Sequence, residues 1–128
     1  MPVYSYDHIH LRSRDPMATA QYYHKMFDAK ILESIQSDGQ PRIDLDINGL
    51  TVFIARVAAD AAIPEAPADP HLGLDHFGLR VDNLEAAYTE LKRRGAEFAV
   101  EPKTIRPGVK IAFVRGPDNV RIELLERS

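Results

Sequence analysis

Hydrophobic and polar positions alternate and regroup twice along this chain, in the same order each time. From Ser5 to Arg12 they alternate, with Ile9 and Leu11 on one side and His8, His10 and Arg12 on the other, the period of a half-buried strand. Asp15-Pro16 then opens a helix, the aspartate as N-cap and the proline at the first helical position, and Ala20, Tyr23 and Phe27 follow at helical spacing toward the core. Asp28 stands at the exit, where a left-handed residue is wanted. Strands are predicted at Lys30–Gln36, Pro41–Ile47 and Leu50–Val57, the last two joined by Asn48-Gly49, a hairpin pair because both residues accept positive φ. Residues 58 to 73 are rich in Ala, Pro and Asp, broken at Pro64, Pro67 and Pro70, and read as a linker. The order then restarts: a strand Leu74–Val81, a cap at Asp82 or Asn83, a helix with Leu84, Ala87, Tyr88 and Leu91 in one stripe, and Gly95 as its stop. Strands near Glu97–Lys103, Lys110–Arg115 and Val120–Glu126 complete the second copy, the last two turning through Gly116-Pro117-Asp118-Asn119.

The two copies share residues as well as pattern. Asp7-His8-Ile9-His10-Leu11-Arg12 matches Asp75-His76-Phe77-Gly78-Leu79-Arg80 at four of six positions, an offset of 68 from His8 to His76. Continued without a gap, that offset lays Ile43 on Ile111, Val52 on Val120 and Ile54 on Ile122, and sets Glu123 against Ala55. A period this long means two copies of one supersecondary unit. The fold class expected is α+β: two β-α-β-β-β modules forming a curved mixed sheet. One domain over residues 1–128 is expected, with module 1 at about 4–57, the linker at 58–73 and module 2 at about 74–127.

Strand alternation also sorts side chains between a helix-covered face and an open one. Ile9, Leu11, Ile43, Leu45, Ile47, Val52, Ile54, Phe77, Leu79, Val81, Ile111, Phe113, Ile122 and Leu124 fall on the covered side. The open side collects His8, His10, Arg12, Arg42, Asp44, Asp46, Phe53, Ala55, His76, Gly78, Arg80, Lys110, Arg121, Glu123 and Leu125.

At 128 residues the chain can bury a real core, whereas each half alone is small. A net charge of −3 with scattered basic residues gives no footprint for nucleic acid. No stretch is long and apolar enough to span a bilayer and no apolar leader is visible, so a cytoplasmic protein is expected. With no cysteine, any metal must be held by nitrogen and oxygen. A wet sheet face accounts for polar residues without any function. It does not account for histidines at matching places in both copies and a carboxylate on the final strand. Two imidazoles and one carboxylate suit a divalent first-row ion with positions left for substrate.

The segments Asp7–Pro16, Asp75–Asn83 and Phe113–Leu124 resemble the vicinal oxygen chelate superfamily, which includes glyoxalase I, methylmalonyl-CoA epimerase, fosfomycin-resistance enzymes, extradiol dioxygenases and bleomycin-resistance proteins. The resemblance implies paired modules with a cup-shaped metal site in which His8, His76 and Glu123 are the ligands. It implies a divalent cofactor (Zn, Ni, Mn, Co or ferrous iron), a small-molecule substrate and a homodimer. It points to a metal-dependent lyase or isomerase that chelates an oxygenated substrate and stabilises an enediolate-like intermediate. The alternatives are a ferrous extradiol-type dioxygenase and a metal-free binding protein of the resistance type. Glyoxalase I and the epimerase take a fourth ligand from the last strand of module 1, and the ungapped offset puts Ala55 there.

Around that triad, Glu123 and His10 are the candidate catalytic groups; His10 also reads as an alternative ligand or, the favoured alternative, as a polar residue lining the cup. Asp44 and Asp46 could act as base or be solvated face charges. Arg12, Phe53 and Arg80 are the candidate substrate-binding residues. Arg12 reads as a clamp for an anionic group or as a surface ion pair. His24 and His71 are expected at the surface, and Tyr22, Tyr23, Met26 and Phe27 in helix-to-sheet packing.

Overall fold

A computed structural model describes residues 1–128, which form two compact units, Met1–Ile63 and Pro64–Ser128. The first carries β1 (Ile9–Ser13), α1 (Pro16–Phe27), β2 (Lys30–Ile35), β3 (Pro41–Ile47) and β4 (Leu50–Arg56). The second repeats the order with β5 (Phe77–Arg80), α2 (Leu84–Arg93), β6 (Phe98–Arg106), β7 (Val109–Arg115) and β8 (Arg121–Arg127). Each unit is the expected β-α-β-β-β module and has its own four-stranded mixed sheet, β1-β4-β3-β2 and β5-β8-β7-β6. In both, the first strand runs parallel to the last and the remaining pairs are antiparallel.

Local chemistry sets the element boundaries. The Asp15 carboxylate accepts from the Ala18 N–H at 3.1 Å, Pro16 follows, and Asp28 closes α1 in the left-handed region at φ 56°. The buried hydroxyls of Ser13 and Thr19 meet at 2.7 Å, fastening the end of β1 to the first turns of α1. Asn48 and Gly49 both take positive φ in the β3–β4 hairpin, as their sequence requires. In the second unit Asn83 caps α2 through the Ala86 N–H, and the Glu126 carboxylate accepts from the Leu84 N–H at 2.8 Å, tying the helix start to β8. Gly95 ends the helix at φ 95°. Tyr23, Leu45 and Val52 are fully buried in the first unit, and Leu84, Val114, Ile122 and Leu124 in the second. Met26 is the buried residue of the last turn of α1, and Phe27 is half-buried beside Tyr23.

Two expectations need correction. β1 and β5 begin at Ile9 and Phe77, later than Ser5 and Leu74, so His8 and His76 each stand one residue ahead of a strand. The faces of β7 are also the reverse of those expected. Its ladder with β8 sets Ala112 opposite Leu124 and Val114 opposite Ile122, on the helix side, together with Lys110 opposite Glu126. Ile111 and Phe113 therefore point the other way, with Val109, and pack with Val100 and Leu125. Ile111 through Val114 is apolar without interruption, so alternation cannot tell its faces apart.

The start of the linker is held by the side chain of Arg14. Arg14 donates to the carbonyls of Ala58, Ala59, Ala61 and Ile63 at 2.8–3.3 Å. Its fork of N–H groups satisfies backbone that no helix or strand serves. No helix is long and apolar enough to cross a membrane.

Candidate functional site

The repeated Asp-His pair does the same thing in both units. Asp7 Oδ2 lies 2.7 Å from His8 Nδ1, and Asp75 Oδ2 lies 2.7 Å from His76 Nδ1. An imidazole that gives its Nδ1 proton to a carboxylate keeps a lone pair on Nε2 and is held in orientation, the arrangement found around metal-ligating histidines. The aspartates were in plain view as half of the repeated dipeptide, yet the sequence reading gave them no role.

In the second unit the free Nε2 of His76 faces Glu123 Oε1 at 3.6 Å. Gly78 stands beside Glu123 on the neighbouring strand, and a Cβ there would come within 3.4 Å of Oε1. Arg121 Nη1 donates to Asp75 Oδ2 at 2.5 Å while its guanidinium lies 4.3 Å from the centre of the Phe113 ring. That ring in turn meets His76 edge-on at 4.8 Å. The hydrogen bond from His76, helped by the positive charge of Arg121, holds the Asp75 carboxyl below its ordinary range despite some desolvation. Asp75 is therefore an anion throughout the neutral range. Its pairing energy is present above the ordinary carboxylate pKa and is lost only as pH falls through the lowered value.

In the first unit an aromatic ring takes the carboxylate's place. The Phe53 ring lies 4.1 Å from His8, centre to centre, and His10 stands 6.4 Å from Phe53 and 6.3 Å from His8. The Arg42 guanidinium covers Phe53 at 4.7 Å and donates through Nε to Asp44 Oδ2 at 2.8 Å. The Asp44 side chain is only 15% exposed, and its other oxygen, Oδ1, is buried without a hydrogen-bond partner. A cavity of about 470 Å³ opens here, lined by His10, Gln36, Gln40, Arg42, Asp44 and Phe53 among others. Asp46 is separate: its Oδ1 caps the Gly49 N–H at 2.7 Å, a turn contact.

Strand register corrects the alignment of the two copies. Phe53 pairs with His10 across β1–β4, and Glu123 pairs with Gly78 across β5–β8. His10 and Gly78 occupy matching places in the repeat, so the counterpart of Glu123 is Phe53. Ala55 matches Leu125 instead. Asp44 faces Phe53 across β3–β4, and Phe113 faces Glu123 across β7–β8. Both units thus carry an acid and a phenylalanine side by side, with the two strands exchanged.

The remaining candidates are less engaged. Arg12 and Arg80 are exposed, and their neighbours across the ladder are Ala55 and Leu125, neither of them acidic. His24 bonds the Ala29 carbonyl through Nδ1 at 2.9 Å, and His71 is exposed. The chain gathers no group of three or more His, Cys, Asp or Glu side chains placed to hold a metal ion; His76 with Glu123 is the ligand pair that comes together, and His8 stands with Asp7, His10 and Phe53.

This architecture is shared. A family model described as the Glyoxalase/Bleomycin resistance protein/Dioxygenase superfamily matches residues 5–124. An Arabidopsis thaliana protein named "Probable lactoylglutathione lyase, chloroplastic" is 38% identical over 56 residues, which are 43% of this chain and 16% of that protein's length. A solved glyoxylase/bleomycin resistance protein/dioxygenase domain from Frankia sp. EAN1pec superposes with a TM-score of 0.77 at 20% identity, covering 99% of this chain and 100% of that one. A glyoxalase family protein from Enterococcus faecalis does so at 0.72 and 24%, covering 95% and 97%. With nearly its whole length matched, and a β-α-β-β-β unit built twice, the chain belongs to the Glyoxalase/Bleomycin resistance protein/Dioxygenase superfamily.

Proposed function

We propose that this protein is a divalent-metal-dependent lyase or isomerase of glyoxalase-like type, acting on a small substrate that offers two adjacent oxygens. His8, His76 and Glu123 are the proposed ligands. The observation that carries this reading is the pair of Asp-bound histidines, each with Nδ1 committed to a carboxylate and Nε2 left to give, one of them aimed at Glu123. Two imidazoles and a carboxylate are a donor set that suits a first-row divalent ion and leaves coordination positions for substrate. When bound, such an ion supplies Lewis-acid stabilisation of negative charge developing on a substrate oxygen.

The chain's own groups supply the rest. Asp7 and Asp75 hold the imidazoles in the ligating tautomer. Phe53 packs against His8, and Phe113 against His76, fixing both rings with apolar surface. His10 and Asp44, both lining the cavity beside Phe53, are the groups placed to take or return a substrate proton. Asp44 lines that cavity and keeps one buried carboxylate oxygen, Oδ1, without a hydrogen-bond partner. Arg12 and Arg80, exposed and without acidic ladder neighbours, are available to an anionic substituent.

The test is the metal content of protein purified without chelators and then reconstituted with Zn²⁺, Ni²⁺, Mn²⁺, Co²⁺ or Fe²⁺. One ion per chain is expected. A chain that takes up none of these is better read as a metal-free binding protein. A second measurement probes the orienting carboxylate. Asp75→Ala removes the Nδ1 acceptor of His76, and metal affinity is expected to fall about 10–100-fold with the fold unchanged by circular dichroism. An unchanged affinity would mean that Asp75 serves Arg121 alone.

A further inference from the structure

We infer that Arg121 is the positioning residue of His76, bracing it on two flanks at once. This deepens the reading of His76 as a ligand given above and rests on it. In the second unit the contacts around His76 close on themselves. Arg121 Nη1 donates to Asp75 Oδ2 at 2.5 Å, and the same oxygen holds His76 Nδ1 at 2.7 Å. The Arg121 guanidinium also lies 4.3 Å from the centre of the Phe113 ring, and that ring meets His76 edge-on at 4.8 Å. One planar cation is thus shared by the carboxylate that bonds the imidazole and by the aromatic ring that packs on it.

The sheet by itself offers no reason for a cation at this place. Arg121 is the first residue of β8, two before Glu123 and so on the same face, and its ladder neighbour on β7 is Arg115. Like charges directly opposite one another disfavour a strand pair. What Arg121 gains it gains from Asp75, which precedes His76 ahead of β5. A fully exposed ion pair would contribute little. Here the Arg121 and Asp75 side chains are 26% and 37% exposed, and the pair is tied at one end to an aromatic ring and at the other to an imidazole.

The first unit lacks this closure. Asp7 holds His8 Nδ1 at the same 2.7 Å but is 84% exposed. Arg42 covers Phe53, the ring that packs on His8, yet its hydrogen bond goes to Asp44 and not to Asp7. No one side chain spans the two flanks of His8. His76 is therefore the preset imidazole of the two, with Nε2 held 3.6 Å from Glu123 Oε1. His8 is the one that takes its final orientation from what binds.

The test reads the imidazoles themselves. Long-range ¹H–¹⁵N correlation spectra of the full chain without added metal, at a pH that keeps the histidines neutral, report which nitrogen of each ring carries the proton. His8→Gln and His76→Gln assign the signals. In the parent, His76 is expected almost wholly in the Nδ1–H form and His8 with a larger share of the Nε2–H form. Arg121→Gln and Arg121→Met, which keep the strand and the bulk but not the charge, should give His76 a share like that of His8 and leave His8 unmoved. Arg121→Lys, which keeps a cation for Asp75 and loses the planar face toward Phe113, should recover part of the parent's form. Zn²⁺ affinity by calorimetry should fall about tenfold in Arg121→Gln, the lower end of what losing an outer partner of a ligand costs. A His76 tautomer that stays put in folded Arg121→Gln or Arg121→Met overturns the inference. So does Zn²⁺ held as tightly as by the parent after the tautomer has shifted. A shifted tautomer in a chain that takes up no Zn²⁺ upholds the brace and overturns the metal reading instead.

Discussion

Glu123→Ala is expected to strip the protein of metal. Glu123 is the carboxylate that faces a histidine nitrogen already freed for ligation, at 3.6 Å. Its removal leaves two imidazoles, a set that holds a divalent ion far more weakly than two imidazoles with an anion. Affinity should fall by at least the 10–100-fold that an outer-shell loss costs, so that metal carried through purification drops from about one ion per chain to a small fraction. Glu123→Gln, which keeps the volume but not the charge, should fall nearly as far. Glu123 lies on the face opposite the helix, with Gly78 on one side and Phe113 on the other, so neither change opens a cavity against α2. Thermal stability without metal should stay within about 0.5 kcal/mol of the parent, the range for substitutions outside the core. The measurement is elemental analysis of parent and variants purified side by side without chelators. Equal metal content would remove Glu123 from the ligand set.

What the sequence made legible was mainly local. Asp15-Pro16 and Asn83 sit at helix starts because an acceptor side chain and a preset φ act within a turn. Asn48-Gly49 forces its hairpin for the same reason. The candidate histidines were legible too, through repetition of the Asp-His pair. The partner of those histidines on the first unit's last strand was not. The matching offset is 68 from Ile9 to Phe77, 69 from Asp44 to Phe113 and 70 from Phe53 to Glu123. One residue enters the second copy before β7 and another before β8. A shift of two leaves every side chain on its original face, so Val52-Phe53-Ile54-Ala55 fits Val120–Glu123 as well as Ile122–Leu125 by alternation alone. A shift of one inverts the faces, which is why Ile111 and Phe113 fell on the wrong side. The strand ladders resolve both, since they fix which residue stands beside which. The cavity beside Asp44 was invisible for a related reason: an unpartnered buried oxygen is a property of packing, not of residue type.

The inverted faces of β7 and the alternation of β8 lead to a second large effect, on stability. Leu124 is 1% exposed, and it shares the helix side with the fully buried Ile122, Val114 and Leu84. Leu124→Ala is expected to cost about 2–5 kcal/mol, the lost transfer free energy of the side chain together with the cavity it leaves. Its neighbour Leu125 faces the other way, partly exposed against Ile111 and Val109, and contact there ends at the open side of the sheet. Leu125→Ala should therefore cost less, about 1–2 kcal/mol, because less surface returns to water and the gap can fill with solvent. Equilibrium urea denaturation of the two variants, with unchanged slopes, reads the difference directly as a shift in midpoint. If Leu125→Ala proved the more damaging of the two, the helix side of β8 would be the one that carries Glu123, and the acid would lie buried beneath α2 instead of open to a metal and its substrate.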